Sequence, residues 1–287
     1  GGRTKLSSLG YMSKSIVNIR CCAKACDELG LSYQYYDKND NFIAVERGEE
    51  TLFFVNTISP FNSQAVSKIC QDKEFTYLLL KDVVKMPKTK GFFCSECEEK
   101  YRKYLTHFSC EEMAADVVAH FSLPVIIKMN RGAKGTNVFS CSTKQEVLIA
   151  LKNVFDKGSH LFDYVALAQE KVNFKREFRV ITFRSKIALA YEKGAASTLF
   201  YGNLSPLQQD NGRPAVVNDQ HLIEQIQKFI DPVFSKLNVV FAGFDIMIDQ
   251  NNDLWLIEIN SSPGMDCLAR DSGDGIIVDL YKKMLMV

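Results

Sequence analysis

Apolar residues recur at helical spacing from Ser13 to Leu29, and the run stops at Gly30. The pattern then changes to short β-type runs at Ser32–Tyr36, Phe42–Glu46 and Thr51–Asn56, followed by a helical period over Ser63–Lys81. The segment KMPKTKG, residues 85–91, reads as a linker. Beyond it the patterning predicts strands at Val125–Met129 and Asn137–Ser140 and a helix at Lys144–Phe155. From Gln169 onward strands dominate: Phe178–Phe183, Ile187–Lys193, Phe241–Ile248 and Leu254–Ile259, with a helix over Asp219–Leu237. No internal repeat or low-complexity segment interrupts this order. The alternation predicts a mixed α/β (α+β) chain in three parts: a small N-terminal α/β unit over 1–85, a central unit over 86–168 and a C-terminal unit over 169–287.

The last two strands break their own pattern. Asp245 and Glu258 each sit in an otherwise apolar run, separated by the turn chemistry of Asp249 to Asp253. A hairpin folded about Asn251 and Asn252 makes Asp245 and Glu258 direct cross-strand partners, with Cβ atoms about 5 Å apart. Asn260, two residues past Glu258, shares its face. Facing carboxylates repel, and partial burial makes the repulsion worse. An edge hairpin with a solvated acidic face would relieve this, but the flanking residues are almost all apolar. A hard divalent cation accounts for two carboxylates and an amide better. Magnesium, with manganese as a substitute, takes such oxygen ligands and commonly bridges them to phosphate.

A phosphate site is therefore expected, and PVIIKMNRGAKGTNVF, residues 124–139, has its parts. Lys128 closes the first strand, and Gly132 and Gly135 let backbone N–H groups approach an anion unobstructed. The spacing matches neither a Walker loop nor a dinucleotide fingerprint, and a strand rather than a helix follows, so the loop reads as a flap. Gln169-Glu170-Lys171-Val172 then joins the second part to the third, where backbone groups beside a cleft suit an adenine edge. Glu177 and Arg179 share one face of the next strand: the acid suits ribose hydroxyls, and the arginine suits a phosphoryl or carboxylate group.

Composition changes little in this picture. The chain has 287 residues and a formal charge of +1, which gives no electrostatic case for nucleic acid or an anionic membrane as partner. No run is long and apolar enough to span a bilayer and no signal peptide is visible. Nine scattered cysteines point to a reducing, cytoplasmic setting. Gly1-Gly2 in place of a methionine reads as a cloning remnant. Cys94, Cys97, His107 and Cys110 are zinc-ligand types, but SECEEKYRKYL between them is charged and helical in character, so free thiols are expected. Cys21, Cys22 and Cys26 are expected as small core residues of the first helix.

Taken in order, the lysine strand, glycine flap, Gln-Glu hinge, Glu-x-Arg strand and Asp…Glu-x-Asn hairpin resemble the ATP-grasp superfamily of carboxylate–amine ligases. EINSSPGM is similar to the metal strand of glutathione synthetase, cyanophycin synthetase and ribosomal-protein glutamate ligase. The resemblance implies an ATP-grasp fold in which two α+β subdomains clasp ATP behind an N-terminal domain. It places Lys73 and Lys128 on ATP phosphates, Gly132, Lys134 and Gly135 in the closing flap, Gln169 to Val172 on adenine, and Glu177 on ribose. Asp245, Glu258 and Asn260 become magnesium ligands, and Arg179 and Asn203 lie near the γ-phosphate and acyl phosphate. Two departures stand out: Tyr201 replaces a basic residue, and Ser205-Pro206-Leu207 replaces glycines, in the segment that faces the acceptor. Relatives are commonly dimers or tetramers, which implies the same possibility here.

The chemistry follows from what a carboxylate lacks. It is a poor electrophile, so amide formation needs a better leaving group. Attack on the γ-phosphate of ATP supplies one as an acyl phosphate, releasing ADP, and a small-molecule amine then displaces phosphate. Two other readings use the same site: a small-molecule kinase, and a non-catalytic ATP-binding module within a larger protein.

Overall fold

A computed structural model describes residues 14–132, 137–194 and 214–286. Helix α1 (Val17–Leu29) ends at Gly30, whose left-handed φ of 68° closes the helix in the way glycine permits. Strands β1 (Tyr33–Tyr35), β2 (Phe42–Arg47) and β3 (Glu50–Val55) form an antiparallel sheet in that order. The helix expected over Ser63–Lys81 is two helices, α2 (Gln64–Gln71) and α3 (Lys73–Leu80). Asp72 breaks the run: it adopts an extended backbone and its side chain caps the Phe75 N–H at 2.9 Å. The break makes Lys73 the first residue of α3.

Next come β4 (Thr89–Phe93), a 3₁₀ turn at Glu99–Tyr104 where a helix was expected, and α4 (Cys110–His120). They are followed by β5 (Val125–Met129), β6 (Val138–Cys141), α5 (Lys144–Val154) and β7 (Val165–Glu170). These strands make a four-stranded antiparallel sheet in the order β4-β7-β5-β6, with α4 and α5 packed together against its core. That core runs from Phe92 to Ala168 and draws on no residue outside the interval, so this part closes on itself.

The remaining strands are β8 (Phe174–Phe183), β9 (Lys186–Glu192), β10 (Ala215–Val216), β11 (Phe241–Asp249) and β12 (Leu254–Asn260). They form a five-stranded antiparallel sheet in the order β10-β9-β8-β11-β12. Helix α6 (Gln220–Lys236) covers one face, burying Ile226, Ile230 and Val233 against Phe178, Phe244 and Ile246. Helices α7 (Asp266–Ser272) and α8 (Gly275–Leu285) complete the described chain.

The N-terminal part does not own a core. Ile19, Cys22, Cys26, Ile43 and Phe54 pack with Phe183, Phe241, Tyr281 and Met284, while Cys70, Leu80 and Val84 join the cluster under α6. Arg20 and Lys24 of α1 both pair with Asp274 at the start of α8, at 2.9 and 2.7 Å. The described elements of the N-terminal part expected over 1–85 thus pack into the C-terminal core, because a three-stranded sheet and one helix bury too little apolar area alone. Among the described residues no helix is long and apolar enough to cross a membrane.

Candidate active site

The β11–β12 hairpin turns about Asp249, whose carboxylate accepts N–H bonds from Asn251 at 2.8 Å and Asp253 at 2.9 Å, and from the Trp255 indole at 2.9 Å. Asn252 takes the positive φ of 69° the turn requires. This turn sets a register in which Asp245 faces Glu258, as the alternation predicts, and Gly243 faces Asn260. On its other edge β11 pairs with β8, placing Arg179 beside Asp245, and β8 in turn places Tyr191 of β9 beside Arg179. One row across four strands therefore reads tyrosine, arginine, aspartate, glutamate.

The centre of that row is a closed charge cluster. Arg179 donates both Nε and Nη2 to the Asp245 carboxylate, the latter at 2.9 Å. Lys193, just past β9, places Nζ 2.8 Å from Asp245 Oδ2 and 2.7 Å from Glu177 Oε1. Asp245, Lys193 and Glu177 are buried, with Asp245 only 5% and Lys193 only 4% exposed; Arg179 is half-buried, with 14% of its side chain exposed. Burial pushes the Asp245 carboxyl up, but Arg179 and Lys193 override it and hold it well below the usual carboxylate range. Burial dominates for Glu177, which is raised despite Lys193. Gly243 makes the arrangement possible: a Cβ there would lie 2.8 Å from Arg179 Cδ and 3.1 Å from Pro263 Cβ.

Two lysines reach the same cleft from other elements. Lys73 Nζ, carried there by the Asp72 break, donates to Gly132 O at 2.6 Å and Asn130 O at 3.3 Å and lies 3.5 Å from Glu258 Oε2. It thereby joins the base of the glycine flap to the acidic hairpin. Lys128 is buried at the end of β5 and donates to Gln169 Oε1 at 2.8 Å. Burial, and then the nearby Lys73, bring Lys128 down to about 8, while Glu258 and Asp245 pull the other way.

The hinge residues occupy different places from one another. Gln169 lies in mid-sheet between Thr89 and Ile126, and its side-chain amide accepts from Lys128 Nζ at 2.8 Å and donates to Thr89 Oγ1 at 2.9 Å. Glu170 exchanges bonds with Lys88, its N–H at 2.8 Å from Lys88 O and Oε2 at 3.1 Å from Lys88 N. Lys171 and Val172 follow β7, with Lys171 Nζ donating to Ser140 Oγ at 3.1 Å. Lys134, Gly135 and Asn203 lie outside the described residues.

Asn260 completes the face of Asp245 and Glu258, with Oδ1 accepting from the Ser262 N–H at 2.9 Å. Two carboxylates and an amide oxygen on one face are hard donors that suit magnesium. Asp245 already answers two cations, so the fit is to a metal that brings anionic ligands of its own. The cysteine group differs: Cys94 is buried, Cys97 and Cys110 are free thiols, and His107 packs edge-on to Phe92. Among the described residues no three His, Cys, Asp or Glu side chains are grouped to hold a metal.

Sequence reasoning missed Lys193, Asn130 and Glu74. Lys193 was legible in part, since Tyr191 near the end of β9 and Lys193 just past it share one parity, with an apolar residue on the opposite parity at Ala190. Asn130 accepts the Glu74 N–H at 3.0 Å, and its buried Nδ2 has no partner among the described residues. Glu74 in turn accepts the Gly91 N–H at 2.9 Å; burial pushes its carboxyl up.

An antiparallel sheet holding two carboxylates against an arginine, with a buried lysine contributed by a second sheet, is the arrangement expected of the ATP-grasp class. The RimK-like ATP-grasp domain family matches residues 77–286, and the chain belongs to that family. A D-alanine–D-alanine ligase from Haemophilus ducreyi is 25% identical over 153 residues, covering 52% of this chain and 48% of the ligase. The chain thus spans about half the length of the curated relative it matches. Among solved structures, a D-alanine–D-alanine ligase from Bacillus anthracis aligns with a TM-score of 0.54 at 19% identity, covering 77% of this chain and 67% of that one. The VanG D-Ala:D-Ser ligase from Enterococcus faecalis aligns at 0.56 and 15% identity, covering 77% and 62%. At such identities these likenesses establish the ATP-grasp fold and nothing finer.

Proposed function

We propose that the protein is an ADP-forming carboxylate–amine ligase that uses ATP and magnesium to join an amino acid, small peptide or natural-product intermediate to an amine. The supporting observation is the convergence of Lys73, Lys128, Arg179, Asp245 and Glu258 on one cleft between two sheets. Lys128 and Lys73 contact the ATP phosphates, and the glycine segment of Gly132, Lys134 and Gly135, the last two outside the described residues, would close over them. Glu170, Lys171 and Val172 border the adenine, and Glu177 takes the ribose. Magnesium, or manganese in its place, held by Asp245, Glu258 and Asn260, would neutralise charge on the transferring phosphoryl group. Arg179, half-buried and rigidly held, orients the substrate carboxylate for in-line attack and stabilises the oxyanion formed when the amine adds. Asn203, outside the described residues, is assigned a role near the γ-phosphate and acyl phosphate by the resemblance alone. Closing the flap excludes water that would hydrolyse the acyl phosphate. The setting is cytoplasmic, with small-molecule partners and self-association into a dimer or tetramer as in relatives.

The test is ADP release over amino acids alone and in pairs, with mass detection of the product. A condensed product and ADP formed only with an amine present support the ligase. Phosphate retained on the product identifies a kinase instead. Glu258→Gln should abolish turnover while leaving the fold intact, and wild-type activity in that variant rejects the assignment.

A further inference from the structure

We propose that Lys193 is a positioning residue that keeps free divalent metal out of the Asp245 site, so that metal enters only together with the nucleotide's phosphates. This inference rests on the ATP-binding reading above and assigns a regulation to the same site. Lys193 is nearly fully buried and bridges two carboxylates, with Nζ 2.7 Å from Glu177 and 2.8 Å from Asp245. Its backbone N–H is fixed as well, donating to Glu177 O at 2.8 Å. Arg179 occupies both oxygens of the same aspartate.

The charges around this point leave no vacancy for a bare cation. Asp245, Glu177 and Glu258 carry three negative charges. Arg179, Lys193 and Lys73 answer them one for one, at contact distances up to 3.5 Å. Lys128 adds a further positive group within electrostatic range of Asp245 and Glu258. A dication entering alone would confront an excess of positive charge in a medium where such interactions are strong. An anionic polyphosphate reverses that balance and draws Lys73 and Lys128 toward itself. Lys193, tied to Glu177, stays beside Asp245 throughout. Linkage then requires reciprocity: metal tightens nucleotide by the factor with which nucleotide tightens metal.

The experiment counts free Mn²⁺ by electron paramagnetic resonance over the protein without nucleotide, for wild type, Lys193→Met and Lys193→Arg. Binding of fluorescent ADP, with and without Mg²⁺, is measured on the same samples. The expected result is weak Mn²⁺ binding to wild type and to Lys193→Arg, and at least tenfold tighter binding to Lys193→Met. Fluorescent ADP should bind wild type more tightly when Mg²⁺ is present. Tight nucleotide-free Mn²⁺ binding by wild type overturns the proposal without reference to any variant, and so does equal metal affinity in wild type and a folded Lys193→Met. If wild type binds no ADP under either condition, the ATP-binding reading itself fails and takes the inference with it.

Discussion

Asp245 and Glu258 are proposed to share a metal, yet the fold treats them differently, and Asp245→Asn exposes the difference. Asp245 is 5% exposed and answers two cations, Arg179 through two N–H groups and Lys193 at 2.8 Å. Neutralising it removes the carboxylate that Arg179 and Lys193 share, leaving only Glu177 in contact with Lys193, and breaking such a buried group costs about 3–5 kcal/mol. The asparagine oxygen still accepts one bond, so the loss belongs near the lower figure. At 2–4 °C per kcal/mol for chains of this size, the midpoint should fall by about 6–12 °C. Glu258 has a quarter of its side chain exposed and one cation at 3.5 Å, so Glu258→Gln should change stability by less than about 1 kcal/mol. Both variants should lose turnover. The assay is thermal and urea unfolding in EDTA, where metal binding contributes nothing. The pH dependence has a definite sign. A carboxyl held low in the folded state stabilises above its unfolded value, near 4, and loses that contribution as pH falls through the folded value. The gap between wild type and Asp245→Asn should therefore persist from neutrality to about pH 4 and close below it. Equal stability of the two proteins in EDTA at pH 7 refutes the buried cluster as described.

Four further outcomes are expected. Because Lys128 sits near 8 in the free protein, ATP binding above that pH must take up a proton, so affinity measured by calorimetry should weaken as pH rises past 8. The same depression means the folded state binds fewer protons than the unfolded one between about 8 and 10.4; wild type should gain stability across that window and Lys128→Met should not. Gly243→Ala forces a Cβ to within 2.8 Å of an arginine stem that Asp245 holds in place, and should destabilise by about 1–3 kcal/mol in urea unfolding. Asn62 grips both ends of the hairpin, donating to Phe241 O at 2.6 Å and Ser261 O at 3.4 Å and accepting from Val240 and Phe241 N–H at 2.8 and 3.1 Å. Asn62→Ala should cost about 2–3 kcal/mol and speed hydrogen exchange at Val240 and Phe241.

The Asp245–Glu258 pairing was readable from the chain because it depends on a turn of five residues and a period of two, both local. Lys128, Arg179 and the parity of Glu177 were readable for the same reason. The Asp72 break was not: apolar spacing runs through it almost unchanged, and only the extended backbone at Asp72 shows that Lys73 begins a new helix aimed at the flap. The strand position of Gln169 was not legible either: local pattern reads 169–172 as a joining segment, and only the pairing of β7 with β4 and β5 puts Gln169 in mid-sheet.

Alone, the amino-acid order determined most of the strands and the facing acids, since each arises from contacts between near neighbours; β4, β7 and β10 were not legible in it, and β4 begins inside the stretch read as a linker. Tertiary structure decided which charges meet. Lys193 lies 52 positions from Asp245 (245 − 193), and they touch only because β9, β8 and β11 stand side by side. It also decided that the first helix and sheet complete a core built from the other end of the chain. Strand order and shared burial arise from long-range packing, which a local pattern of polar and apolar residues does not encode.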